Sequence, residues 1–164
     1  MKVGIVGLGV MGNNHVRVLN QMPQVKKVLV YDISPELNAI GDKNEMVGSL
    51  EELASAAPDY VVVALPTIFH SEAAIFLASR RIPTLLEKPV APSQTESESI
   101  ALAFSDAETI CAVGHVERFN PSLSALRQKI AEGVIGKPLQ ISTRRVGPFP
   151  SRVNDVGVIL DLAS

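Results

Sequence analysis

Cysteine is almost missing from this chain: Cys111 is the single one in 164 residues. That excludes an intramolecular disulfide framework and fits a reducing, cytoplasmic compartment. Its setting, Thr109-Ile110-Cys111-Ala112-Val113, is apolar, as for a buried thiol rather than a reactive one. Long apolar runs are missing as well. Tyr60–Leu65 is among the longest, far below the roughly 18 residues of a membrane-spanning helix. Glycines at 4, 7, 9 and 12 interrupt any export-signal core near the N-terminus. No stretch clusters Lys and Arg, and 15 basic against 17 acidic side chains give a formal net charge of −2. A dominant nucleic-acid footprint is therefore not expected, nor a membrane partner. No repeat, low-complexity tract or flexible linker interrupts the chain. What remains, 46% apolar and 20% charged residues, is the balance of a soluble globular protein with one sizeable core.

Short β-branched runs alternate with longer amphipathic stretches, the pattern of a parallel sheet wrapped by helices. Strands are expected at Lys2–Val6, Lys27–Tyr31, Met46–Gly48, Tyr60–Leu65, Pro83–Glu87 and Thr109–Gly114. Helices are expected at Met11–Gln21, from Ser49 to about Ala56, at Ser71–Arg81, after Ser93, and at Pro121–Glu132. Ser49 with Glu52 and Ser93 with Glu96 are capping boxes, in which hydroxyl and carboxylate satisfy orphan amides at a helix start. Ile100, Ala103, Phe104 and Ala107 follow the second box at helical spacing. Six strands in two halves of three predict an α/β fold, a doubly wound parallel Rossmann sheet. The expected division is a nucleotide-binding domain over residues 1–121, then a crossover helix and the start of an α+β substrate domain over 122–164. Leu139–Val146 alternates apolar and polar residues and predicts a half-exposed antiparallel strand.

Gly7-Leu8-Gly9-Val10-Met11-Gly12 is a GxGxxG turn between the first strand and first helix. Gly7 permits the tight turn, Gly9 the approach of a pyrophosphate, and Gly12 close packing of helix on strand. Amides at the helix start, including those of Val10 and Met11, supply partial positive charge for that group. Asp32 stands 20 residues after Gly12, where a carboxylate accepts from a ribose hydroxyl. A carboxylate there repels a 2′-phosphate, and Ile33-Ser34-Pro35 offers no arginine to hold one, so NAD is favoured over NADP. The plainer alternative is an ordinary turn followed by a solvated Asp. Leu86-Glu87-Lys88-Pro89 closes the fifth strand on the carboxyl edge, where open α/β sheets bind ligands. Lys88 there can donate to a substrate hydroxyl; from spacing alone a surface lysine in a turn is the better reading.

Together with His15, Pro66-Thr67-Ile68-Phe69-His70, Gly114-His115-Val116-Glu117-Arg118-Phe119-Asn120-Pro121 and Gly133-Val134-Ile135-Gly136-Lys137-Pro138, these motifs resemble the glucose–fructose oxidoreductase/inositol dehydrogenase (Gfo/Idh/MocA) family. The resemblance runs over the whole chain. Its GHVERFNP and RRVGPFP segments are most similar to the branch that contains UDP-N-acetylglucosamine 3-dehydrogenases. The resemblance implies NAD(P)-dependent hydride transfer to or from a hydroxyl of a sugar, nucleotide sugar or cyclitol. It implies a catalytic Lys88, with a cis Lys88–Pro89 bond and Glu87 beside it in the cofactor site. Pro66 and His70 would lie near the nicotinamide half; the rival role for His70 is a helix-capping or solvated histidine. His15 reads more readily as a packing residue than as a cofactor contact. His115, Glu117, Arg118 and Asn120 would face the same cleft, with Arg118 the preferred cofactor ligand, although Glu117 and Arg118 can equally pair with each other. No metal is implied.

Family members carry an Asp and, four residues later, an acid/base His on one helix face. Asp161 matches the first, and the His would be residue 165, beyond Ser164. The expectation is a piece of a longer protein that binds cofactor but is nearly inactive alone. Its unpaired 139–146 edge would self-associate, and a homo-oligomer is expected. Arg144 and Arg145 can meet a substrate phosphate or simply face solvent. Two rivals remain: a non-catalytic NAD(H)-binding sensor or scaffold, and an S-adenosylmethionine methyltransferase. Retention of Glu87-Lys88-Pro89 argues against the first, and the six-strand reading with a crossover beyond it against the second.

Overall fold

The computed structural model describes residues 1–33 and 42–144. The expectations for Ser34, Pro35, Arg145 and Asp161 lie outside them. Compact contacts divide the chain into a unit over Met1–Gly114 and a unit over His115–Ser164; the sequence placed the division after Pro121.

The first unit begins with strand β1 (Lys2–Val6), helix α1 (Val10–Gln21), strand β2 (Lys27–Tyr31) and strand β3 (Asn44–Met46). Helix α2 (Leu50–Ser55), strand β4 (Tyr60–Val63), helix α3 (His70–Ser79), strand β5 (Thr84–Leu86), helix α4 (Gln94–Asp106) and strand β6 (Cys111–Val113) follow. Among the described residues the six strands form one sheet in the order β3-β2-β1-β4-β5-β6, and every neighbouring pair is parallel. This is the doubly wound Rossmann arrangement, whose order reverses between β1 and β4.

Because the sheet is covered on both faces, its central strands carry runs of consecutive buried residues, Val3–Val6 and Val61–Val63, rather than an alternation. Val3 and Ile5 of β1, Val28 and Val30 of β2 and Val62 of β4 pack with Val16 and Leu19 of α1. On the other face Val6, Leu29, Val61, Val63 and Leu86 pack with Leu53 of α2, Ala74 and Leu77 of α3, and Ile100 and Phe104 of α4. Both serine hydroxyls cap their helices as expected. The Glu52 amide donates to Ser49 Oγ at 3.0 Å, and the Gly48 amide to Glu52 Oε2 at 2.6 Å. Cys111 is half-buried, and burial pushes its thiol above the ordinary value.

Two expectations are corrected. The third strand is Asn44–Met46 rather than Met46–Gly48. As an edge strand it pairs on one side only and carries no buried residue, so it has no apolar run to mark it. Residues 139–144 form no strand and are exposed; a ladder needs a partner's N–H and C=O groups, and no ladder reaches them among the described residues.

In the second unit, helix α5 (Pro121–Ala131) opens on Asn120, whose Oδ1 accepts from the Ser122 amide at 3.0 Å. Pro121 sits at its start, and Gly133, with φ +73°, lies just past its end. Lys129 donates to Glu132 at 2.8 Å, holding that carboxyl below the usual range.

Candidate functional site: the carboxyl edge of the sheet

Since β1, β2, β4 and β5 run parallel, the residues that follow them share one edge. The register aligns their last residues, Val6 with Tyr31 and Val63, and Val63 with Leu86. Gly7, Asp32, Ala64-Leu65-Pro66 and Glu87-Lys88 therefore emerge side by side at the point where the strand order reverses.

The glycine turn is built by close contacts. Gly7 has φ +94°, a left-handed conformation that a side chain would strain. At Gly12 an added Cβ would lie 1.9 Å from the Gly7 carbonyl oxygen, so only glycine lets α1 sit on the turn. The Gly7 amide donates to the Tyr31 carbonyl at 2.9 Å, and the Leu8 amide to Asp32 Oδ2 at 2.6 Å. Asn13 adds a clasp that sequence reasoning missed. Its Nδ2 donates to the carbonyls of Leu8 at 2.5 Å and Gly9 at 3.1 Å. An Asn one residue after GxGxxG was the available signal.

Gly9 is the N-cap of α1, and no side chain caps that start. No acidic residue stands in its first turn, whereas α2, α3 and α4 each have at least one. A Cβ placed on Gly9 would meet nothing within 4 Å. The first turn of a helix leaves amides without intrahelical partners and concentrates positive partial charge. Here that charge faces an opening, with Val10 exposed and Met11 half-buried beside it. A diphosphate fits this cradle chemically, with the Asp32 carboxylate at the end of the next strand for a sugar diol.

Beyond β4, Pro66 is exposed and opens a 3₁₀ turn over Thr67–Phe69. His70 starts α3 and is only 1% exposed. Its Nε2 lies 2.9 Å from the Leu65 carbonyl and its Nδ1 3.0 Å from the Pro89 carbonyl. The ring is neither solvated nor a simple cap: it braces the segment after β4 against the segment after β5. Any influence of His70 on a ligand is exerted through that backbone. The Lys88–Pro89 bond is cis, and Lys88 itself is half-buried at the edge.

Glu87 is buried, and its Oε1 is 2.7 Å from His15 Nε2. This pairing joins residues 72 apart in the chain, and nothing in the sequence announced it. His15 is thus engaged with a carboxylate of the site. Arg118 lies in the second unit, exposed, within a 3₁₀ turn over Val116–Phe119. Asn120 Nδ2 there donates to Glu117 Oε2 at 3.1 Å. Among the described residues no group of three or more His, Cys, Asp or Glu could hold a metal ion, and no helix is long and apolar enough to cross a membrane.

Comparison with known proteins agrees with this fold. The GFO_IDH_MocA family model, described as an oxidoreductase family with an NAD-binding Rossmann fold, matches residues 1–115. The chain is 32% identical over 151 residues to 2,7-anhydro-N-acetylneuraminate hydratase of Escherichia coli, covering 88% of this chain and 39% of that protein. It is 27% identical over 175 residues to inositol 2-dehydrogenase 2 of Paenarthrobacter aurescens, covering 96% and 51%. The crystal structure of the WlbA dehydrogenase from Bordetella pertussis, in complex with NADH and UDP-GlcNAcA, superposes with a TM-score of 0.75 at 25% identity. That match covers 84% of this chain and 41% of the other. The chain thus spans about 40% to 50% of the length of these relatives.

Proposed function

This chain belongs to the Gfo/Idh/MocA oxidoreductase family, with its NAD-binding Rossmann fold over residues 1–115, and on that premise we propose that it binds NAD(H) across the carboxyl edge of the sheet. The carrying observation is the start of α1: it has no side-chain cap and no acidic residue, and opens on space at Gly9. The cofactor's diphosphate takes the amides of the first turn, and its adenosine ribose hydroxyls donate to Asp32. A carboxylate at that place disfavours a 2′-phosphate by charge repulsion, which supports NAD over NADP.

In the whole protein the nicotinamide supplies or accepts the hydride. The chain's own residues place it: Pro66 and the His70-braced turn shape that end of the edge, and Glu87 fixes the peptide leading to Lys88. The Lys88 amine accepts the reacting hydroxyl's proton in oxidation, and its ammonium returns one to the oxygen in reduction. The family resemblance further implies a second catalytic group in Asp161 and a cofactor ligand in Arg118. The substrate class is a sugar, nucleotide sugar or cyclitol hydroxyl, in a cytoplasmic homo-oligomer. The relatives named for inositol and for a UDP-sugar complex support that range, while the hydratase relative sits outside simple dehydrogenation.

The test is titration of the chain with NADH, followed by its fluorescence. Asp32→Arg removes a charged acceptor of a ribose hydroxyl and is expected to weaken NADH binding about ten-fold or more. Unchanged affinity in the variant would remove Asp32 from the site.

A further inference from the structure

A carboxylate kept from water is disfavoured unless hydrogen-bond donors surround it. Glu87 is 6% exposed, and it is satisfied by two donors from different parts of the fold. His15 Nε2, on α1, lies 2.7 Å from Oε1, and the backbone amide of Lys88 lies 3.3 Å from Oε2. The end of β6 closes the third side, since a Cβ on Gly114 would come within 3.1 Å of Oε2. The main chain is pinned there as well. The Glu87 amide donates to the Val63 carbonyl at 3.0 Å, and the Gly114 amide to the Leu86 carbonyl at 2.8 Å.

We infer that Glu87 is a positioning residue, locked by His15, that fixes the Lys88 peptide relative to the helix whose start takes the diphosphate. The inference rests on the cofactor reading above and deepens it. One side-chain contact ties together the two ends of an extended ligand: α1 holds the diphosphate, and the end of β5 holds the group beside the nicotinamide. The imidazole serves in either charge state, because both the Nε2–H tautomer and the protonated ring donate toward Oε1. Loss of the contact leaves the diphosphate cradle intact, since Gly7, Asn13 and Asp32 build that by themselves. It releases the Lys88 end.

The consequence is a split between two ligands. ADP-ribose carries the adenosine, the diphosphate and the second ribose but no nicotinamide; NADH carries all of them. In titrations of the 164-residue chain, His15→Ala is expected to weaken NADH about ten-fold while ADP-ribose affinity stays within about two-fold. His15→Gln, whose side-chain amide also donates an N–H, is expected to restore most of the NADH affinity. Thermal unfolding of each variant accompanies the titrations. Equal losses for both ligands in His15→Ala, or no loss of either, would overturn the inference and leave the pair a purely structural contact. A failure of His15→Gln to recover NADH binding in a folded protein counts against it equally. Should the unaltered chain bind neither ligand, the cofactor reading itself falls and takes this inference with it.

Discussion

Helix α4 begins at Ser93, whose hydroxyl accepts from the Glu96 amide at 3.3 Å and donates to the Glu96 carboxylate at 2.6 Å. Helix α1 begins at Gly9, with no side-chain cap and no carboxylate in its first turn. Both starts expose the same orphan amides and the same end of a helix dipole. In α4 the chain satisfies one of them, the Glu96 amide, from within and so fixes the helix start. In α1 it leaves them facing an opening, and holds the turn from behind through Asn13 and Asp32. On the proposed reading, the difference separates a helix start that serves stability from one that serves binding.

Three substitutions break or sharpen that contrast. The largest effect is expected from Gly12→Val, which drives a side chain into the Gly7 carbonyl. Overpacking of this kind costs about 3 kcal/mol, and a lower urea midpoint should accompany lost NADH binding. Gly9→Ser makes α1 begin as α4 does. A serine hydroxyl caps the first turn and occupies the space proposed for the diphosphate. NADH affinity should fall about ten-fold while stability changes by only a few tenths of a kcal/mol, roughly the difference between serine and glycine caps. Equal affinity in Gly9→Ser would show that the amides of α1 are not the anion site. The smallest effect is the reverse exchange: Ser93→Ala removes the α4 cap at a cost of about 1 kcal/mol. Its unfolding midpoint should drop with NADH affinity unaltered.

What could be read from the sequence follows from where the physics is local. The strands Lys2–Val6 and Lys27–Tyr31 match residue for residue, because a strand buried on both faces writes itself as a continuous apolar run. The Ser49 and Ser93 caps are local hydrogen bonds within four residues, and both form. The edge strand Asn44–Met46 was placed too late, since polar edge residues carry no such run. At the site, the glycine turn and Asp32 were legible from spacing. The Asn13 clasp was overlooked, although it lies next to the motif. The bracing of His70 between two carbonyls and the His15–Glu87 contact were not legible, because each depends on segments that only the folded sheet edge brings together.

The central claim, that the open start of α1 receives a dinucleotide diphosphate, is tested most directly by backbone amide NMR during titration with NADH. The account predicts that the Gly9, Val10, Met11 and Gly12 amides shift downfield and saturate together, while the capped amides of Glu52 and Glu96 stay in place. Saturable NADH binding with those four signals unmoved would contradict it.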